Sequence, residues 1–203
     1  MIGGSDMRRR ILVSLLAFAA GLAVTAVVGT AEAGNPPLPG RCAYSYVHCP
    51  PWTTGLWIEH PGSRLEYGAD VEYASTADRA KVHLWQYYSN PNQDWYKATV
   101  DGFPDEYVFI NKNSGKCLDK SMDHGNNWGA QIYQYECFFT ANQRWKLTSH
   151  QVGQITAFRV ESVAAPGQCL DVKDYQYRIG AAIQSWPCDW MWNQDWWIWD
   201  PPF

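Results

Sequence analysis

The chain has 203 residues, with 16 Lys and Arg against 20 Asp and Glu, a formal net charge of −4 that argues against a nucleic-acid or other polyphosphate partner. Without an N-terminal leader of 33 residues, the remaining 170 allow one domain with a real core, but not a core plus a separate catalytic domain.

Arg8, Arg9 and Arg10 precede an apolar run over residues 11–28, and the small residues of Ala31-Glu32-Ala33 follow it. This reads as a secretory signal peptide, residues 1–33, cleaved after Ala33 and leaving a secreted chain with no membrane insertion. An uncleaved anchor is the alternative, weakened by Ser14, Gly21 and Thr25 within the run. Arg8-Arg9-Arg10-Ile11-Leu12 also loosely resembles a twin-arginine export signal. The remaining 170 residues hold 13 basic and 18 acidic side chains, all 12 Trp and all six Cys.

Residues 34–55 form a proline-rich arm (Pro36, Pro37, Pro39, Pro50, Pro51). Residues 56–203 read as short strands rich in Val, Ile, Tyr, Trp and Thr, broken by Gly, Pro, Asn and Asp. No stretch sustains a helical period over three turns, so the expected class is all-β.

This region is an internal triplicate. Asn92-Gln93-Asp94-Trp95, Asn142-Gln143-Arg144-Trp145 and Asn193-Gln194-Asp195-Trp196 place their tryptophans 50 and 51 residues apart. Upstream, Cys117-Leu118-Asp119 and Cys169-Leu170-Asp171-Val172 hold equivalent positions, matched by Gly68-Ala69-Asp70-Val71; Arg64-Leu65-Glu66 is a competing register for the first repeat. Between them lie Val82-His83-Leu84-Trp85, Ile132-Tyr133-Gln134-Tyr135 and Ile183-Gln184-Ser185-Trp186. Units of about 50 residues cannot each bury a core, so the three should close on one another.

The repeats also sort the cysteines. Cys117 and Cys137 occupy the same repeat positions as Cys169 and Cys188, while Gly68 and Tyr87 stand there in the first repeat. Each of the later repeats should therefore staple itself, leaving Cys42 to pair with Cys49 and pin the arm. Loops of this size contribute about 2.5–3 kcal/mol per bridge on the chain-entropy estimate. A zinc site from Cys42, His48 and Cys49 is the rival reading, disfavoured by export and by the lack of a framed fourth ligand.

Alternation along a strand puts Val82, Ile132 and Ile183 on one face and His83 with Trp85, Tyr133 with Tyr135, and Gln184 with Trp186 on the other. If the aliphatic residues point inward, an aromatic ring stands outward beside Asp70, Asp119 or Asp171 and Asn92, Asn142 or Asn193. Such a set suits a pyranose: the ring stacks on its apolar face, the Asp accepts from two hydroxyls, and the Asn donates and accepts. Burying ~100 Å² of apolar surface contributes only about 2.5 kcal/mol, so each site should be weak.

These motifs resemble the ricin B-type lectin domains, which include the family 13 carbohydrate-binding modules of secreted bacterial enzymes, over about 150 of the 203 residues. The resemblance implies a β-trefoil with up to three shallow galactose- or xylose-type sites and assigns Trp95, Trp145 and Trp196 to the core. It carries over in full to the third repeat, as Asp171, Gln184, Trp186, Asn193 and Gln194. In the second, Asp119, Tyr135, Asn142 and Gln143 match, with Tyr133 replacing the glutamine. In the first, Asp70, Trp85, Asn92 and Gln93 match, with His83 replacing it and no disulfide.

Plainer roles compete: the aspartates could cap turns, and His83 reads as a surface strand residue rather than a base. Trp190, Trp192, Trp197 and Trp199 either plug the barrel end or widen a binding face. Catalysis has little support, because no nucleophile elbow, His-Glu-x-x-His, phosphate loop or Cys-x-x-Cys occurs, and no metal or cofactor is expected. Threefold equivalence makes the aspartates alike, whereas a glycosidase needs two carboxylates in unlike environments. The expected function is glycan binding; the rivals are an interaction subunit using the trefoil as scaffold, and a glycoside hydrolase.

Overall fold

The computed structural model describes residues 42, 44–58, 66–123 and 125–198. The expected signal peptide, the first three prolines of the arm, Arg64, Leu65 and Trp199 lie outside these residues. Thirteen strands run through the described chain, punctuated by single 3-10 turns. They are β1 (Val47–His48), β2 (Leu56–Ile58), β3 (Tyr67–Val71), β4 (Val82–Gln86), β5 (Trp95–Val100), β6 (Glu106–Asn111) and β7 (Cys117–Lys120). There follow β8 (Ala130–Tyr135), β9 (Trp145–Val152), β10 (Ile155–Ser162), β11 (Gln168–Val172), β12 (Ala181–Pro187) and β13 (Trp197–Ile198).

Each repeat contributes an outer pair of strands and an inner hairpin, which is the β-trefoil. The outer strands close into a six-membered ring: β5 pairs β6, β6 pairs β9, β9 pairs β10, and β13 pairs β2. Isolated bridges from Thr54 to Trp95 and from Phe158 to Trp196 complete it. The hairpins β3–β4, β7–β8 and β11–β12 form the second tier. They interlock where β12 meets both β4 and β8, and where Lys81 bridges to Tyr133.

The central core explains why each repeat ends in tryptophan. Trp95, Trp145 and Trp196 are wholly buried among Leu84, Phe109, Leu118, Ile132, Leu170 and Ile183. Each indole N–H donates to the carbonyl just before its repeat's aspartate: Trp95 to Ala69 (3.1 Å), Trp145 to Leu118 (3.3 Å) and Trp196 to Leu170 (2.8 Å). A buried indole needs such a partner, and the bond fixes the last strand of the repeat against its hairpin.

The three disulfides join Cys42 to Cys49, Cys117 to Cys137 and Cys169 to Cys188, as the repeats require. With both its sulfurs in a disulfide, the arm offers no thiolates for zinc. The arm is a working part of the fold: β1 pairs β5, and Cys42 and Val47 enter a second buried cluster with Val100, Val108, Ile110 and Phe139. Of the surplus tryptophans, Trp192 packs against the central core, Trp197 pairs Trp57 across the β13–β2 closure, and Trp190 stands exposed over Arg159.

Replacing Trp196 by Ala removes a whole indole and leaves the Leu170 carbonyl without its donor. The expected loss is about 3–5 kcal/mol of unfolding free energy, read from urea denaturation. A loss below about 1 kcal/mol would contradict the placement of this ring at the centre of the core.

Candidate functional site

The three hairpins are in identical register. Asp171 lies opposite Gln184 and Cys169 opposite Trp186; Asp119 lies opposite Tyr133 and Cys117 opposite Tyr135; Asp70 lies opposite His83 and Gly68 opposite Trp85. This decides the first repeat's register in favour of Gly68-Ala69-Asp70. Tyr87 fills the place of the missing disulfide: a Cβ on Gly68 would stand 3.1 Å from its ring, and its hydroxyl donates to Asp94 at 2.8 Å. Burial pushes that phenol up to about 12.

Strand alternation runs as expected. Val82, Leu84, Ile132 and Ile183 point into the core, while Trp85 and Trp186 are 37% and 40% exposed on the opposite face. Beside each stacking candidate lies an open hollow.

The third hollow, of about 360 Å³, is lined by Asp171, Gln184, Trp186 and Asn193. Asp171 is held from three sides: Gln184 Nε2 donates to Oδ1 (2.9 Å), and Asn193 Nδ2 (2.7 Å) and Gln194 Nε2 (2.9 Å) donate to Oδ2. Burial nonetheless raises its pKa, and the donors from Gln194 and Gln184 oppose that rise. Asn193 also donates to the Val172 carbonyl (3.1 Å), and its buried Oδ1 has no hydrogen-bond partner in the described structure. A buried acceptor left without a partner is a cost to the folded protein.

The first hollow, of about 450 Å³, repeats the plan with different partners on its aspartate. Asn92 Nδ2 donates to Asp70 (2.9 Å) and to the Val71 carbonyl (3.2 Å), and His83 Nε2 lies 3.2 Å from Asp70 where Gln184 stands in the third. The His83 ring stacks on Trp85 at 5.3 Å, which holds the indole from one side.

The second hollow is smaller, about 210 Å³. Asn142 and Gln143 both donate to Asp119 at 2.8–3.0 Å, and Tyr133 and Tyr135 form its aromatic wall. Arg79 enters it, paired with Asp123 and lying 5.2 Å from the Tyr133 ring. Burial pushes Asp119 up to about 6, against the pull of Gln143, Asn142 and Tyr133.

The glutamines of the Asn-Gln-x-Trp strings mostly work from behind. Gln93 and Gln194 are buried and line neither hollow; Gln93 binds the Gln86 carbonyl and the Tyr88 N–H, and Gln194 binds the Pro187 carbonyl and the Asp189 N–H. Gln143 does the same for Glu136 and Phe138 but also borders its hollow.

Two groups of lining residues were not foreseen. Tyr73 and Ala74 curl over the first hollow, and Asp174 and Tyr175 over the third, all in the left-handed region at φ of 49–57°. Non-glycine residues adopt this conformation sparingly, and the matching strain in two repeats marks a shaped rim. The other group crosses between repeats. Arg79, Gly129 and Gly180, also left-handed, donate their N–H to Gln134, Ser185 and Leu84, each at 2.8 Å, and so line the hollow of the next repeat. The signal was present in the sequence as Arg79-Ala80, Gly129-Ala130 and Gly180-Ala181, again 50 and 51 residues apart.

Among the described residues no cluster of His, Cys, Asp and Glu could hold a metal ion, and no helix is long and apolar enough to cross a membrane.

The sequence profile of the ricin-type beta-trefoil lectin domain-like family matches residues 57–135 and 98–177. Comparison with curated proteins gives no match. Among solved structures, a designed threefold-symmetric protein, ThreeFoil, is similar at 29% identity with a TM-score of 0.63, over 73% of this chain and 98% of that one. An exo-beta-1,3-galactanase from Clostridium thermocellum is similar at 26% identity and a TM-score of 0.59, over 72% of this chain but only 30% of the enzyme. The Rhizoctonia solani agglutinin, at 14% identity and a TM-score of 0.56 over 72% and 95%, shares the fold.

Asp119 gives the hollow a pH signature. Its folded pKa of about 6 exceeds the ordinary 3.8, so between these values the folded state holds more protons than the unfolded one. Its contribution to stability is therefore complete below the unfolded pKa and lost as pH rises through about 6. Asp119→Asn lacks this loss, so the variant should gain on the wild type as pH is raised from about 4.5 to about 6.5 in urea denaturation. Parallel pH profiles for the two proteins would contradict the raised pKa.

Proposed function

The chain belongs to the ricin-type beta-trefoil lectin-like family, and from that premise we propose that it is a secreted, non-catalytic lectin binding galactose- or xylose-type glycans through up to three shallow sites. The observation that carries this reading is the third hollow. There a carboxylate fixed by three amide donors and a 40% exposed indole border one open space.

The chemistry is that of a sugar cradle. With three donors already on its two oxygens, the Asp171 carboxylate keeps about one acceptor position, on Oδ1, for a sugar hydroxyl, and the face of Trp186 covers the C–H side of the ring. Asp171 needs no movement to do so, because Gln184, Asn193 and Gln194 already hold its orientation. Preorganisation of this kind limits the entropy lost on binding.

A hydrolytic role finds less support. Asp119 and Asp171 are tied to amide donors, and Asp70 to Asn92 and His83; among the described residues none of the three faces a second carboxylate in the way a proton-transferring pair requires. The likeness to the galactanase covers 30% of that enzyme and says nothing of the reaction it performs. The three disulfides accord with an oxidising, extracellular setting.

Trp186→Ala should abolish binding at the third hollow while moving the thermal midpoint by no more than a few degrees, because the ring is exposed and the loss falls on no core contact. Joint use of several weak sites can raise apparent affinity on a polymer by on the order of 100-fold. The variant should therefore lose more on a polysaccharide column than in calorimetry with a simple sugar. Shortening of the polysaccharide by the wild type would instead indicate a hydrolase, and indifference to all glycans a scaffold.

A further inference from the structure

The third hollow has a neighbour that the repeat plan does not supply. Trp128 is carried by the second repeat, on the segment between β7 and β8, yet its ring lies 5.9 Å from that of Trp186 at an interplanar angle of 61°. It is 67% exposed and belongs to neither buried cluster, so the core gains nothing from it. We propose that Trp128 is a second stacking platform, which makes the third hollow a site for two joined pyranose rings rather than for a single sugar. The proposal rests on the reading of that hollow as a sugar site.

Several features hold Trp128 in place. The N–H of Gly129 donates to the Ser185 carbonyl at 2.8 Å, binding the segment to the residue before Trp186. On the other side Gln168 Nε2 donates to the Asn126 carbonyl at 2.6 Å. The segment is thus tied to both strands of the third hairpin, which fixes the backbone that carries Trp128.

Gly129 borders the hollow beside Trp186. With φ of +78°, it sits where an added Cβ would face Gln184 Oε1 at 3.6 Å and the Trp186 ring at 3.8 Å. Any larger side chain would reach over the floor of the hollow. Glycine therefore serves both the left-handed turn and the clearance.

The corresponding positions beside the other hollows differ. Asp78 precedes Arg79, and its carboxylate is engaged by Lys116 Nζ (2.7 Å) and by the Glu136 N–H (2.9 Å). Ile179 precedes Gly180 and offers no ring. Two adjacent exposed indoles form an apolar patch whose cost in water is relieved when the C–H faces of a ligand cover it.

The test uses a parent protein in which Trp85→Ala and Tyr135→Ala remove the stacking rings of the first and second hollows. Calorimetry is run with galactose and lactose, and with xylose and xylobiose. The parent should bind the disaccharide of the accepted sugar about tenfold more tightly than the monosaccharide, the equivalent of about 1.4 kcal/mol. Adding Trp128→Ala should remove that advantage and leave the monosaccharide Kd within about twofold, while Trp128→Phe should keep most of it. The melting temperature should not move in either variant. If Trp128→Ala leaves the disaccharide advantage intact, or weakens both ligands equally, the two-ring site is overturned while the sugar site stands. A parent that binds none of the four sugars removes the sugar reading and the two-ring site together.

Discussion

A single hydrogen bond, made three times, organises this molecule: a buried indole N–H donating to the carbonyl of the residue before an aspartate. Through it Trp95, Trp145 and Trp196 fasten the last strand of each repeat to its hairpin, and the neighbouring Asn reaches the aspartate itself. Core and candidate site are thus built from one four-residue string. The Trp faces the centre, the Gln binds the loop from behind, and the Asn turns its amide toward the carboxylate.

Placing carboxylates where water is scarce is costly, and at Asp171 the fold offsets this with three amide donors. Asp119 and Asp171 have raised pKa values because burial outweighs their donors. A carboxylate surrounded by amides keeps acceptor capacity, whereas a tight ion pair would spend it. The charged pairs are placed elsewhere, at the third residue of each string. Asp94 meets Lys112, Arg144 meets Glu106, and Asp195 meets His150 and Arg159, tying the strings to nearby barrel strands and their flanks. Arg159 shows the strain of this arrangement, since burial lowers its pKa even beside a carboxylate.

The three repeats share a frame and differ in what occupies it. The position opposite the aspartate is His83, Tyr133 or Gln184, and the residue lent by the preceding repeat around the ring is Gly180, Arg79 or Gly129. A glycine leaves its hollow open; an arginine paired with Asp123 partly fills the second. The loss of a disulfide in the first repeat is met by Tyr87, whose ring and hydroxyl restore contact where a covalent link stands in the others. Symmetry in the core therefore coexists with divergence at the rim, because the core must close on itself while each rim faces solvent.

The sequence by itself determined the triplicate, the disulfide pairing, the trefoil and the outward face of Trp85, Tyr135 and Trp186. The triplicate and the pairing follow from repeat equivalence and the facing from the two-residue period of a strand, while the trefoil is what the family resemblance implies. Tertiary structure alone decided what depends on contacts between segments about 50 residues apart. The lending of Arg79, Gly129 and Gly180 across repeats is one such outcome, and the approach of Trp128 to Trp186 is another. So are the partners of Gln93 and Gln194: the supporting role expected of Gln194 is exercised on Asp171 and the Pro187 carbonyl, and Gln93 is enclosed against the Gln86 carbonyl. A pattern in one strand fixes which way a side chain points; only the closure of three hairpins against each other fixes what it meets there.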